Sequence, residues 1–288
     1  MTGPTDHNTE VSSTVSAAIV CKDAARTIER TIDSLQGWTR SVVAIDSGST
    51  DGTLEFLRRR GVRVIEHEWL GHVRTKQMAL SEAAGLEGTA WVLSLDADES
   101  VGAELRSAVL ELVARDDAET VGARVNRKIW YRGRFLEHAW QPERRLRLVR
   151  ADAARRGTVR WGGLDPHDAL RADRDAGRVV DLAGTLRHDS FELFADQLAK
   201  DTAYARMMAQ NLHDSGVRGK RLRCVTSPIG AFAKQMVVKR AWRDGAAGWL
   251  AALATASATL QKHAMLLELD ELDRESGGVE RGGKAGES

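Results

Sequence analysis

The stretch Trp91-Val-Leu-Ser-Leu-Asp96-Ala-Asp98-Glu99 constrains the fold of this chain more than any other. An apolar run of that length, bounded by polar residues, reads as a strand covered on both faces, the habit of parallel sheets packed between helices. Its two carboxylates, one residue apart, then fall where the strand leaves the sheet. Open α/β sheets bind ligands at that edge. Mg²⁺ and Mn²⁺ prefer oxygen donors and take one or two protein carboxylates, substrate phosphate oxygens completing the shell. An Asp-x-Asp in that place points to a metal–diphosphate site. The plainer reading is a pair of acidic residues that end a strand and begin a turn, and the neighbouring segments decide between the two.

Apolar strands alternate with helical stretches through the first half, which predicts a parallel sheet with crossover helices. The strands are Val15–Cys21, Ser41–Asp46, 62–66 and 90–95. Ile28, Ile32 and Leu35 recur at helical spacing after a start near Asp23, and Ser49 and Asp51 offer N-cap side chains to a helix that ends at Gly61. His72–Ala84 and 105–113 complete the helices of this half. Beyond Glu119 the strands become longer and more polar, at 122–130, 145–150 and 178–186, which suits a mixed or antiparallel extension shaping a second substrate site. Residues 191–212 predict an amphipathic helix. The expected organisation is a flexible N-terminus at 1–13, a catalytic domain at 14–190 and a helical, basic region at 191–275. A disordered tail is expected at 276–288, where glycine and charge leave too little apolar surface to fold.

With 288 residues and a net charge of +1, nothing global suggests nucleic acid. Neither a basic leader nor an apolar core marks the first residues, so no secretory signal is expected and the chain reads as cytoplasmic. Cys21 and Cys224 fit two free thiols in a reducing compartment. Charge is uneven, however. Between Arg218 and Arg243 there are eight cations and no acidic residue. Phe232, Val237, Trp242 and Trp249 lie among or just beyond them, so contact with an anionic membrane surface is expected. The Ala-rich run that follows is too short and too weakly apolar to span a bilayer. The alternative is a helical pair packed on the enzyme or on a second subunit, its cations solvated.

The second strand ends in Asp46-Ser47-Gly48-Ser49-Thr50-Asp51-Gly52-Thr53. Glycine permits close backbone approach there, and the hydroxyls and carboxylates can hydrogen-bond a base or ribose at a helix N-terminus. With the later Asp-x-Asp, this order of features resembles the family 2 glycosyltransferases of the GT-A fold. The resemblance narrows to the branch of lipopolysaccharide-core and related cell-envelope enzymes at Trp69-Leu-Gly-His72, Lys76, Pro142-Glu143 before Arg145-Leu-Arg-Leu-Val-Arg150, His167-Asp168 and His188-Asp189-Ser190. It covers roughly residues 15–270. Cys21, Asp23, Gln77 and Asp168 depart from the residues common in the family.

The resemblance implies an α/β GT-A fold, a Rossmann-like, mostly parallel sheet with a mixed extension and a helical C-terminal region. It also implies a metal-dependent, inverting transfer of a hexose from a nucleotide-diphospho-sugar, UDP-hexose above all, to a glycan or lipid-linked acceptor. Asp46, with Ser47 and Asp51, would read the base or ribose, Asp96 would lie near the ribose, and Lys76 would meet phosphate or sugar. Asp98 would hold Mg²⁺ or Mn²⁺, with His188 completing the shell. An inverting transfer needs a carboxylate to take the acceptor proton while the metal neutralises the departing diphosphate. Asp168 matches that base, with Asp165 a nearby rival. Arg145, Arg147, Trp161 and His167 are candidate phosphate or acceptor contacts, and alternation puts Arg145 and Arg147 on one strand face.

Rival readings fit less well. A haloacid-dehalogenase-type phosphatase carries its Asp-x-Asp near the N-terminus, not after a long α/β prelude. A calcium loop would need Glu at position twelve, where Ser107 stands. A nucleotidyltransferase would show a Gly-rich, Arg-containing loop after the first strand. A non-catalytic sugar-nucleotide-binding or scaffold subunit is the alternative from another class, and retention of Asp96, Asp98, Asp168 and His188 argues against it.

Overall fold

The computed structural model describes residues 14–163 and 168–282, with side chains to residue 275. The expected flexible stretch 1–13, the candidates Asp165 and His167, and residues 283–288 lie outside the described residues. The chain divides into two compact units, Met1–Trp130 with Pro142–Ser190, and Tyr131–Gln141 with Phe191–Ser288.

In the first half of the chain β1 (Val15–Cys21), α1 (Ile28–Asp33), β2 (Ser41–Asp46), α2 (Thr53–Arg59), β3 (Arg63–Glu66), α3 (His72–Ala84) and β4 (Trp91–Asp96) alternate as expected. A three-residue strand, β5 (Glu99–Val101), and α4 (Ala103–Arg115) follow. Then come β6 (Thr120–Tyr131), β7 (Arg134–Phe135), β8 (Arg144–Arg150), α5 (Ala151–Arg155), β9 (Val159–Gly162), β10 (Ala169–Ala172) and β11 (Arg178–His188). The main sheet runs β3-β2-β1-β4-β8-β6-β11-β5. Its first four strands are parallel. Strand β8 enters antiparallel between β4 and β6, and β5 closes the edge antiparallel to β11. This is the α/β class, with the mixed extension, that the sequence predicts. Strands β9 and β10 form a separate antiparallel ribbon.

The apolar runs are explained by two cores, one on each face. Along β1, Val15, Ala17, Ile19 and Cys21 face the core containing α1 and α4, whereas Ala18 packs into the core containing α3 and α5. Strand β4 divides in the same way, Trp91, Leu93 and Leu95 against Val92. A strand covered on both faces has no polar side to alternate with.

Two local expectations change. Asp23 takes a left-handed conformation, φ 46°, and its carboxylate accepts the Thr50 N–H at 2.7 Å, so α1 begins later, at Ile28. The N-cap of α2 is Gly52 at φ 94°, a conformation that glycine adopts without cost. The Ser49 hydroxyl turns back to Asp46, while Asp51 accepts the Thr53 N–H at 3.1 Å.

The second unit contains α6 (Phe194–Asp214), α7 (Arg221–Ala233), a π turn at Lys234–Val238, a 3-10 turn at Ala241–Asp244 and α8 (Ala246–Gly282). Helix α8 runs past residue 275 into the segment expected as a tail. Residues 131–141, read from sequence as part of the first domain, belong here. The buried Asp244 carboxylate accepts the N–H groups of Glu137, His138 and Ala139 at 3.1, 2.9 and 2.8 Å, and Trp140 donates its indole N–H to Thr255 at 2.9 Å. Gly219 passes so close to α8 that a Cβ there would lie 2.5 Å from the Leu267 Cα. Among the described residues no helix is long and apolar enough to cross a membrane.

Candidate active site

Because β2, β1 and β4 are parallel and in register, Asp46 and Asp96 lie on one edge of the sheet, paired with Cys21 and Val20 of the strand between them. Asp46 is fully buried, and one of its oxygens accepts the Gly48 and Ser49 amides, each at 2.9 Å. The other accepts the Ser49 hydroxyl and the Cys21 thiol, the latter at 3.4 Å. Burial first, and then the Asp46 carboxylate, push the Cys21 thiol above its ordinary range. Cys21 therefore stays neutral and serves as a donor, the part a threonine hydroxyl would play. Asp51 spends both oxygens on the loop, accepting from Ala25 and Thr53. The Ser47 hydroxyl is buried and has no hydrogen-bond partner among the described residues.

A cluster of alternating charge sits at the end of β4. Lys76, from α3, places its Nζ 2.7 Å from Asp96 Oδ1 and 2.8 Å from Asp168 Oδ2, so one ammonium joins both carboxylates. Arg147, buried on β8, meets the other Asp96 oxygen at 2.9 Å and Glu99 at 2.5 Å. Glu99 is fully buried at the start of β5 and also accepts Arg127 at 3.1 Å and the Asp96 N–H at 3.0 Å. The network continues from Arg127 to Glu143 and from Glu143 to Arg145. Trp161 of β9 offers its ring to Lys76 and Arg147, at 4.8 and 5.6 Å, while its indole N–H is buried without a partner among the described residues.

The electrostatics follow from this packing. Burial works against the charge on Asp96, but Lys76, Arg147 and Arg127 outweigh it and hold the carboxyl well below the usual range. Burial likewise disfavours charged Lys76, yet Asp96 and Asp168 raise its pKa against opposition from Arg147. Glu143 is brought down to about 2, because hydrogen bonds and attraction from Arg127 and Arg145 exceed the cost of burial.

The second carboxylate of the pair faces elsewhere. Antiparallel pairing of β5 with β11 sets His188 opposite Glu99, and the Asp189 N–H donates to the Asp98 carbonyl at 2.8 Å. His188 Nε2 then lies 3.2 Å from Asp98 Oδ2. Asp189 anchors this corner through Arg187 at 2.7 Å and Arg30 at 3.1 Å. A carboxylate oxygen and an imidazole nitrogen so close together fit a divalent ion that draws its other ligands from phosphate and water. No cluster of three or more His, Cys, Asp or Glu ligands exists among the described residues. Among the described residues, Asp98 and His188 are the two donors brought together at this corner.

Residues 16–163 match the profile of glycosyl transferase family 2, just over half of the chain. The chain belongs to this family. It is a glycosyltransferase, and over 269 residues it is 28% identical to the lipopolysaccharide core biosynthesis glycosyltransferase LpsC of Rhizobium meliloti, covering 87% of this chain and 93% of LpsC. An uncharacterized glycosyltransferase of Rickettsia typhi is 27% identical over 261 residues, covering 88% and 87%. Among solved structures, Staphylococcus aureus TarS 1–349 in complex with UDP-GlcNAc is similar with a TM-score of 0.43 at 13% identity, covering 91% of this chain and 92% of TarS. Glucosyl-3-phosphoglycerate synthase from Mycobacterium tuberculosis, with Mn²⁺, UDP and glucosyl-3-phosphoglycerate, gives 0.42 at 16% identity, covering 76% and 87%.

The family match takes in the glycosyltransferase's Asp46, Lys76, Asp96, Asp98 and Trp161 and stops before Asp168 and His188. The fold brings the sequence candidates together in three groups. Asp46, Ser47 and Asp51 form the loop after β2, Lys76, Asp96, Arg147, Trp161 and Asp168 form the charged cluster, and Asp98 pairs with His188. Among the described residues Arg145 joins the cluster through Glu143. Glu99 and Arg127 were not singled out from sequence. Glu99 stands directly after the Asp-x-Asp, and its burial depends on the short strand β5, which has no apolar periodicity to reveal it.

Proposed function

We propose that the enzyme carries out metal-dependent, inverting transfer of a hexose from a nucleotide-diphospho-sugar, with UDP-hexose as donor, to a glycan or lipid-linked acceptor of the lipopolysaccharide kind. The observation that carries this reading is the division of labour in Asp96-Ala97-Asp98. Asp96 is neutralised by Lys76 and Arg147, which leaves Asp98 beside His188 as the carboxylate suited to an ion. The name of the Rhizobium meliloti relative supports the acceptor class.

Asp98 and His188 would hold Mg²⁺ or Mn²⁺, which when bound neutralises charge on the departing diphosphate. Asp46 and the Ser47 hydroxyl take the base or ribose, and the network of Asp96 with Lys76 lies toward ribose and phosphate. Asp168 takes the proton from the acceptor hydroxyl as that oxygen bonds to the sugar's anomeric carbon and the bond from carbon to diphosphate breaks on the opposite face. Lys76 holds Asp168 in place at 2.8 Å. Arg145, Arg147 and Trp161 border the cluster as phosphate or acceptor contacts. Nucleotide release from a panel of nucleotide sugars, with Mn²⁺ and with excess EDTA, tests the proposal. Release from one donor that EDTA abolishes is expected, and equal release in EDTA would overturn the metal-dependent reading.

A further inference from the structure

Helix α7 is unusual in that none of its residues is buried. Leu222, Val225 and Ile229 are 73%, 60% and 64% exposed. Single exposed aliphatics are ordinary, but these three recur at helical spacing and make a continuous apolar stripe. Just beyond, Val237 and Val238 of the π turn are 72% and 71% exposed, and Trp242 is half-exposed. Arg221 and Arg223 border the stripe at helical positions on either side of it.

The charge around this surface has one sign. The segment from Arg218 to Arg243 holds eight cations and no acid. Arg218 and Arg221 reach acids of α8, Asp270 at 3.4 Å and Glu271 at 3.5 Å, whereas Lys234, Lys239, Arg240 and Arg243 have no ion-pair partner among the described residues. Phe232 and Trp249, expected from sequence to lie at the membrane surface, contact each other with tilted rings and centroids 5.9 Å apart, so the aliphatic stripe is the more available apolar group.

From this combination we infer that the α7 face, with the π turn after it, docks on an anionic lipid bilayer. Aliphatic side chains enter the boundary between headgroups and acyl chains while lysine and arginine meet the lipid phosphates. A second copy of this chain fits less well, because a two-fold contact would bring the same unpaired cations together. Nucleic acid would use the cations and leave the stripe in water. The inference concerns the second unit alone and is independent of the catalytic reading.

The test is co-sedimentation of the full chain with phosphatidylcholine vesicles containing or lacking phosphatidylglycerol. Binding is expected only to the anionic vesicles, weakening as salt is raised because the attraction decays over roughly a Debye length. Each cation near such a surface contributes about fivefold in affinity, so replacing Lys234, Lys239, Arg240 and Arg243 together by Gln should weaken binding more than about a hundredfold. Leu222→Gln, Val225→Gln and Ile229→Gln combined should weaken it at least about tenfold with little change in thermal melting, since these side chains are largely exposed. Failure of the unaltered chain to sediment at low salt overturns the inference. So does full binding by the triple-Gln variant, which would mean adsorption by charge alone, or a dimer that the same variant dissociates while vesicles are ignored.

Discussion

In the proposed mechanism Asp98 and Asp168 do opposite things at the residue scale, one holding a cation and the other taking a proton, and their variants separate the two roles. Asp98→Ala removes one of the two donors proposed for the ion, so Mn²⁺ binding measured by calorimetry in the presence of UDP should disappear together with transfer. Undiminished turnover in that variant would remove the metal from the mechanism. Asp168→Asn keeps the volume and loses the proton acceptor, and turnover should fall by roughly two to four decades with donor KM nearly kept. A loss confined to KM would instead make Asp168 a binding residue.

Glu143 supplies a stability prediction at the same scale. Its folded pKa is lowered from 4.5 to about 2, so the folded state binds fewer protons than the unfolded chain between those values. Its contribution is therefore fully present above about pH 4.5 and is lost as pH falls toward about 2, a change on the order of 3 kcal/mol. Denaturant midpoints of Glu143→Gln should be lower at neutral pH and less acid-dependent over that window. Parallel pH profiles for the two proteins would mean that Arg127 and Arg145 do not hold this carboxylate.

The elements that were legible in the sequence are those whose physics is local. Strands β1, β2 and β4 are apolar on both faces, and α3 carries its small and apolar residues at helical spacing, so each could be read before any partner was known. Strand β5 could not. Glu-Ser-Val has no strand signature, and it is a strand because β11 supplies hydrogen bonds to it, a fact of tertiary pairing. The same pairing extends β11 to His188, beyond the predicted end at residue 186, and so makes the contact with Asp98. The register of β11 shifts between Asp181 and Thr185, where Gly184 sits at φ 85°. A Cβ there would lie 2.4 Å from the Leu105 amide nitrogen of α4. Gly184→Ala thus combines a disfavoured conformation with a backbone clash, and should cost about 2–4 kcal/mol in urea unfolding. Transfer activity should fall as well, because the strand that carries His188 must move. A variant of native stability would show that this crossing is looser than the structure has it.

At the scale of the whole molecule the chain passes three times between its two units, after residues 130, 141 and 190, and that path was not legible in the sequence. Residues 131–141 carry no periodic signal, and what places them is Asp244, more than a hundred residues later. Truncation after residue 190, where the sequence suggested a boundary, would remove Asp244 together with Thr255, which accepts from Trp140, and Phe191, whose ring lies 5.1 Å from Tyr131. Three backbone N–H groups would lose their acceptor and two aromatic side chains their cover. A chain ending at Ser190 should bind a hydrophobic dye and be cut by protease within 131–141, whereas the full chain should resist both. Asp244→Ala in the full chain isolates the cause, since it leaves the aromatic contacts and removes only the acceptor. It should lower stability by about 2–4 kcal/mol, the cost of leaving buried donors unmet, and open the same protease site. If the truncated chain resists protease as well as the full one, residues 131–141 fold with the first unit and the division drawn between the units is wrong.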